Sequence, residues 1–512
     1  MRLTPFLSSV LLVLYACSSG SGTTPPPADT TAKLTIDLSA TVATVDERYL
    51  SVAVDTAQVV GGEWWSSSGE VELMGQERVP VYDFSRPRLR ALAAELAPAL
   101  LRIGGSDADR IFYDMAPEPV ADAPEGFNFV LTADQLDGVF EFAQTLSFDV
   151  AFTLSSGTGP GVRDEDGAWI PDMAEKLVTH VSSQGYEIAL WELGNEWNQH
   201  FVDIGTQFSA TEVVRDFTTA RALLEKYYDE FMLGGISSSY WPSIGEIAPL
   251  YPDFIAMGGV DLVDVITWHY YPQQSQRGPV ATDPWERELL LDPERLDIVL
   301  DWYDEISDYR DAHAPAIPVW LGETGHAQYG GQPGSSDRYE GTFWWLDQLG
   351  ALARRGQPLT VRQTLSGSNY GLIDDVTLDP RPDYWASVLW RRLMGQRVLD
   401  VARTDVDELI RVYAHCSYER PGAVTVLAIN LDEANDVRIE IDEISNADKE
   451  IYVLSSEALD SSDLMLNGTL LRDDNGVLPP LEPVEIGSRP ADVPPRAIAF
   501  IVYPNANAPA CQ

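Results

Sequence analysis

The sequence predicts an α/β chain in which a (β/α)₈ barrel is followed by a β-sandwich. Three observations carry this. Eight apolar, β-branched runs alternate with segments of helical period over roughly 350 residues. Beyond about Gln396 the helical period stops and short strands with turns take over. Two of the eight runs end on a Glu flanked by Gly and apolar residues, at the strand ends where barrels present reacting groups.

In chain order the strand-like runs are 49–55, 99–105, 149–156, 189–196, 231–239, 263–271, 318–325 and 360–368. Helical segments at 87–96, 133–146, 171–184, 212–230 and 293–309 separate them, and 339–355 and 382–394 close the series. Alternation of the two periods implies parallel βα units, and eight of them fit a closed barrel with insertions. After it, 410–415, 423–430, 437–441, 450–454 and 497–502 read as sandwich strands, and 34–45 reads as a strand preceding the barrel. The expected divisions are therefore 33–46 for the leading strand, 47–396 for the barrel and 397–512 for the sandwich.

The N-terminus reads as an export signal. Met1-Arg2 precedes a short apolar run, then Leu14-Tyr15-Ala16-Cys17 and a Ser/Gly/Thr/Pro tract. Cys17 after a small residue looks like a bacterial lipobox, which would make 1–16 a signal peptide, Cys17 the lipidated residue and 17–32 a flexible tether. An ordinary signal peptide with an incidental Cys is the alternative. The apolar run is too short to span a bilayer as a helix. The expectation is an exported protein at the periplasm or cell surface, touching membrane lipid only through Cys17.

With 512 residues and 45% hydrophobic content the chain can build a large core and a second domain. A monomer is expected. Cys416 and Cys511 are the cysteines left after Cys17; an oxidising compartment permits a bridge, and two buried thiols are the alternative. Cys/His spacing gives no metal site, and no cofactor motif is present, so neither is expected. The net charge is −45, from 79 Asp and Glu against 34 Lys and Arg, with Lys confined to positions 33, 176, 226 and 449. Such a surface repels nucleic acid, anionic lipid and sulfated polysaccharide, although screening within about 8 Å leaves room for a local Arg cluster. Salt tolerance or plain solubility explains the charge equally well.

The chemistry lies in Trp191-Glu192-Leu193-Gly194-Asn195-Glu196-Trp197-Asn198, at the end of strand four, and Leu321-Gly322-Glu323-Thr324, at the end of strand seven. Two carboxylates facing one cleft are the minimum equipment for cleaving a glycosidic bond. With Leu101-Arg102-Ile103-Gly104-Gly105, Thr267-Trp268-His269-Tyr270-Tyr271, Tyr329-Gly330-Gly331, Asn369-Tyr370, Pro382-Asp383-Tyr384-Trp385, His415-Cys416, Pro494-Pro495-Arg496 and Cys511, they run in order through about residues 33–512. In these strings the chain resembles the heparanase-like enzymes of glycoside hydrolase family 79, in clan A.

The resemblance implies a retaining hydrolase with Glu323 as nucleophile and Glu196 as acid/base. Glu196 would need an apolar setting to stay protonated, which Trp191, Trp197 and Trp268 could supply. Arg102 would pair with Glu323, or else with Glu192 in a structural role. Asn195 would bond the sugar 2-hydroxyl, and Tyr270 or Tyr271 would orient the nucleophile. The resemblance also implies a disulfide between Cys416 and Cys511, and a leading strand that joins the C-terminal sandwich.

For substrate it implies a glucuronic-acid-containing saccharide. Tyr329, Gly330, Asn369 and Tyr370 would donate to the sugar carboxylate, and Asp55 would bind hydroxyls. The departures matter too. Ala57 stands where mammalian members carry Asn, and Gly105-Ser106 leads to Asp107 rather than to a basic residue. Basic clusters for glycosaminoglycans are missing, with isolated residues such as Arg277 remaining, and there is no basic linker to excise. Three readings follow: an exo-acting β-glucuronidase first, an endo-acting enzyme on uronic-acid polymers second, and a non-catalytic glycan-binding lipoprotein as the reading of a different class.

Overall fold

The computed structural model describes residues 30–404 and 407–512. The expected signal peptide, Cys17 and the tether up to residue 29 lie outside the described residues.

Eight parallel strands close into a barrel: Leu50–Asp55, Ala99–Gly104, Phe148–Leu154, Leu190–Leu193, Leu233–Trp241, Val265–Tyr270, Val319–Thr324 and Thr360–Arg362. Each pairs with the next in sequence, and closure comes from the eighth on the first, Thr360 opposite Leu50. The strands are buried on both sides, so their sequences read as near-continuous apolar runs. Inside the barrel, Ala53, Leu100, Ala151, Leu190, Val265, Trp320 and Val361 form an apolar floor. Two residues further along several of these strands come Asp55, Arg102, Thr153, Glu192 and Thr267, so the polar layer stands directly on that floor.

Helices between the strands start where the chain offers local caps. Thr132 with Gln135 and Ser209 with Glu212 form reciprocal capping boxes, and Pro87, Pro293 and Pro382 sit in the first helical turn. The Ser209 box starts its helix at Ala210 rather than Glu212. That helix ends at Leu224, before the expected residue 230, because 225–230 carry no buried face and lead into the next strand. Strand four ends at Leu193 and strand eight at Arg362, both short of expectation, since the chain turns there to build the barrel mouth.

The sandwich consists of two sheets. One is built from Val401–Thr404, Thr30–Ile36, Val437–Ile441 and Ala491–Val493; the other is led by Met394–Leu399, Ile410–Ser417, Val424–Asn430, Ala497–Tyr503 and Lys449–Ser455. The leading strand begins at Thr30 rather than Lys33, and its alternating Ala32, Leu34 and Ile36 are buried in the sandwich core. It does not run on to residue 45. Asp37 accepts from the Ser39 N–H and hydroxyl, making a turn, and Ala43–Thr44 then joins the second sheet. Cys416 and Cys511 are disulfide-bonded, with Cα atoms 5.2 Å apart. Arg411 and Tyr413 of the sandwich bond to Asp347 on a barrel helix at 2.8 and 2.6 Å, which ties the two layers together. Among the described residues no helix is long and apolar enough to cross a membrane.

Candidate active site

Arg102 organises the barrel mouth. Its Nε donates to Glu192 Oε2 at 2.8 Å, Nη1 to Glu323 Oε2 at 2.7 Å and Nη2 to Asn195 Oδ1 at 2.9 Å. The two pairings weighed from sequence, with Glu323 and with Glu192, are thus both made. Burial opposes the charge on Glu192, but Arg102 and the Thr153 hydroxyl hold its carboxyl below the usual range. A buried guanidinium shared between two carboxylates costs much to break, because whichever ion remains is left unpaired.

Glu323 takes its second bond from Tyr271, whose hydroxyl donates to Oε1 at 2.7 Å. Tyr270 does not reach the site; its ring packs beside Trp268 outside the barrel. Period two along the sixth strand settles the choice. Thr267 and His269 point inward and Tyr271 follows them, while Trp268 and Tyr270 face the helices.

Glu196 lies beyond the fourth strand with φ 52°, a left-handed conformation uncommon for a non-glycine residue. Gly194 makes that turn possible: at φ 69°, a Cβ on it would fall 2.2 Å from the Ser156 hydroxyl. Asp109 braces the turn by accepting from the Asn195 N–H at 2.9 Å, beside His200. Glu196 accepts from Gln199, and its Oε1 lies 3.0 Å from His269 Nδ1. Burial raises its pKa to about 7, against the pull of Arg102 and of hydrogen bonds from Ser239 and Gln199. The same burial lowers His269 to about 4, leaving the imidazole neutral.

The shielding is not provided by the three tryptophans. Trp191 packs on Phe152 and Tyr228, Trp197 on Phe208 and Phe217, and Trp268 on Tyr240 and Tyr303, all on the helix side of the strands. Glu196 is instead enclosed by its own turn and by polar neighbours.

One oxygen each of Glu196 and Glu323 and a ring nitrogen of His269 all lie within 4.8 Å of one another. Such a trio resembles a cation site, but Arg102 and Tyr271 already donate to both oxygens of Glu323, and a guanidinium at 2.7 Å repels a metal ion. The arrangement fits two carboxyls working on opposite ends of one scissile bond.

Around this pair stand the remaining expected residues. Asp55 caps a short helix through the Ala57 N–H and accepts from Gln363 at 3.3 Å; burial, then the charge of Asp107, raise its pKa well above the carboxylate range. Tyr329 lies edge-on to Trp65, and Gly330 at φ 77° comes so close that a Cβ would meet Trp65 Cβ at 2.3 Å. The Gly330 carbonyl is held by the Asn369 N–H at 2.9 Å and by the Ser368 hydroxyl. The Gly330 N–H and the Tyr329 hydroxyl make no bond among the described residues. Tyr370 stands between Trp64 and Tyr271. Asn369 is turned away from the expected role: its side chain accepts from Arg277 at 2.6 Å and donates to Ser67 O at 3.5 Å, joining neighbouring loops.

Sequence reasoning missed His269, Gln199, Asp109 and the cage around Arg277. His269 was legible from the inward parity it shares with Thr267 and Tyr271; the others depend on loop geometry.

The barrel with paired carboxyls at its fourth and seventh strand ends defines a glycoside hydrolase. The description "Glycosyl hydrolase family 79, N-terminal domain" matches residues 31–350. The chain belongs to that family. It is 30% identical over 540 aligned residues to heparanase-like protein 1 of Arabidopsis thaliana, covering 94% of this chain and 95% of that protein. It is 28% identical to the baicalin-β-D-glucuronidase of Scutellaria baicalensis, with 90% of each covered. Among solved structures, a 4-O-α-L-rhamnosyl-β-D-glucuronidase from Fusarium oxysporum 12S aligns with a TM-score of 0.64 at 16% identity, over 92% of this chain and 99% of that one.

Proposed function

We propose that the protein is a retaining, exo-acting β-glucuronidase. Glu323 attacks the anomeric carbon while Glu196, in the protonated form that its raised pKa of about 7 keeps available near neutral pH, gives its proton to the departing oxygen. Glu196 then takes a proton from the water that releases the sugar. Oxygens within 4.8 Å suit this double displacement better than the roughly 6.5–9.5 Å gap that admits an inverting water. Asn195 keeps its side-chain NH₂ unbonded among the described residues, positioned to bond the sugar 2-hydroxyl.

The observation that carries the choice of sugar is the Tyr329-Gly330 turn, with a free hydroxyl and a free N–H beside the catalytic pair. An ionised acceptor makes the most of such donors. Arg277 strengthens the reading. It is fully buried, caged by the carbonyls of Ser66, Ser68 and Glu70 and by Asn369, and forms no ion pair among the described residues. In a chain of net charge −45, a buried cation beside Asn369 and Tyr370 that meets the carboxylates of Asp337 and Glu77 only at a distance favours an anionic sugar.

The same cage supports exo action. Arg277 pins the loop after the first strand to the loops after the sixth and eighth, an arrangement that suits a cleft closed at one end. Its lipid anchorage and export, proposed from Cys17 and the preceding apolar run, are separate from this chemistry. The test is hydrolysis of matched 4-nitrophenyl β-glycosides, with chain-length analysis of heparan sulfate, hyaluronan and chondroitin digests. Preference for the glucuronide with release of single sugars supports the proposal. Mid-chain cleavage would favour an endo-acting enzyme, and preference for a neutral glycoside would refute the sugar assignment.

A further inference from the structure

The sugar-facing turns follow the first, seventh and eighth strands. The opposite side of the cleft, where Glu196 meets the departing oxygen, belongs to the loops after the fourth and fifth. Along the fifth strand Ser237 bonds to Glu192 inside the barrel and Ser239 bonds through its backbone to Asn198, beside Glu196, whereas Tyr240 turns outward onto Trp268 and Trp302. Period two therefore puts Trp241 on the inner face, about 6.5 Å further toward the mouth than Ser239.

Trp241 is an unusual buried aromatic. It is 5% exposed, yet it belongs to none of the apolar clusters that hold the other buried aromatic side chains among the described residues. Its indole N–H is buried and has no hydrogen-bond partner, and a buried donor without a partner carries a desolvation cost that a ligand can relieve. The neighbouring surface is apolar. Phe201 and Val202 are 39% and 58% exposed on the short helix that follows Glu196, and Ile244 is 45% exposed in the hairpin that follows Trp241. Neither 197–204 nor 241–246 contains a Lys or Arg. The guanidinium that reaches this segment, Arg110, donates to the Asp203 carbonyl and pairs with Asp107 at 3.0 Å, so it is already engaged, while a flat apolar ring would find an aromatic side chain and an apolar rim.

We propose that Trp241 forms the wall of a leaving-group subsite that takes a planar aromatic aglycone. This rests on Glu196 being the proton donor, which is what makes this the leaving-group side; it does not depend on which sugar is bound opposite.

Phenyl and methyl β-glycosides of the sugar that the wild type cleaves best provide the test, because the methyl glycoside offers no ring to stack. Trp241→Leu is expected to lower the phenyl-to-methyl ratio of kcat/KM by about tenfold, mainly through KM, and Trp241→Phe to recover most of it. The double variant Phe201→Ser/Val202→Ser alters exposed side chains and is expected to lower the ratio about threefold, which keeps the test alive if Trp241→Leu does not fold. Equal losses on both substrates in Trp241→Leu, or an unchanged ratio in the rim variant, would overturn the proposal. A neutral glycoside cleaved with the same Trp241-dependent phenyl preference would refute the glucuronide reading and leave this one standing.

Discussion

His269 and Glu196 sit 3.0 Å apart, Nδ1 to Oε1, and burial moves their proton affinities in opposite directions, to about 4 and about 7. Of the two, the carboxyl therefore holds a proton far more tightly than the imidazole does. Glu196 is protonated below its raised pKa and loses that proton as pH rises through about 7. For substrates with poor leaving groups, kcat/KM should fall along one alkaline limb centred near pH 7. Replacing His269 with Ala should move that limb, because the bond that fixes the acid is gone. A profile flat to pH 9 would show that Glu196 is not the acid.

The two carboxyls should separate by substrate. Glu323→Gln is expected to abolish turnover of every glycoside. Glu196→Gln should spare aryl glycosides with acidic phenols, which leave without protonation, while methyl glycosides lose about a hundredfold or more. Activity of Glu323→Gln within a few-fold of wild type would remove it as the nucleophile.

Sugar choice should respond to the donors around Gly330. Tyr329→Phe and Tyr370→Phe are each expected to cut kcat/KM for an aryl glucuronide at least about tenfold more than for the matching glucoside, since a charge-assisted bond outweighs a neutral one. Rates on such short substrates should change little between low and high salt. Heparin should bind weakly, because 34 Lys and Arg against 79 Asp and Glu leave little excess positive charge for the counterion displacement that would make binding steep in salt. Tight, salt-sensitive retention on heparin would count against the exo reading.

The disulfide should be a stability element and leave the chemistry alone. It closes 95 residues of sequence, and its loss in Cys416→Ala/Cys511→Ala is expected to remove up to about 4 kcal/mol. Denaturant unfolding of oxidised protein against the double variant measures this, and kcat at low temperature should stay within about twofold of wild type.

The barrel was legible because its signal is periodic. Eight strands and the helices between them repeat two hydrophobic periods, and Glu196 and Glu323 stand at the ends of two of those repeats. Where the chain leaves the period, legibility ended. Strand four stops at Leu193 because Gly194 and Glu196 turn left-handed, and strand eight stops at Arg362 before an irregular loop that carries Asn369 and Tyr370. Choosing between Tyr270 and Tyr271 needed the parity of one strand. The tryptophans misled because hydrophobicity marks burial without saying on which side of a strand the burial lies. Arg277 read as an isolated basic residue, since a cage of main-chain carbonyls leaves no trace in side-chain spacing.

The strand Thr30–Ile36 pairs with Val401–Thr404 and Val437–Ile441, segments made some four hundred residues later. On a ribosome this strand, the earliest among the described residues, would wait for nearly the whole polypeptide before finding a neighbour. Until then its backbone edge and the alternating Ala32, Leu34 and Ile36 have nothing to cover them, a liability for any chain that folds as it is made. A truncation that stops after the barrel should therefore aggregate through its own beginning, and adding the missing C-terminal piece in trans should rescue its solubility.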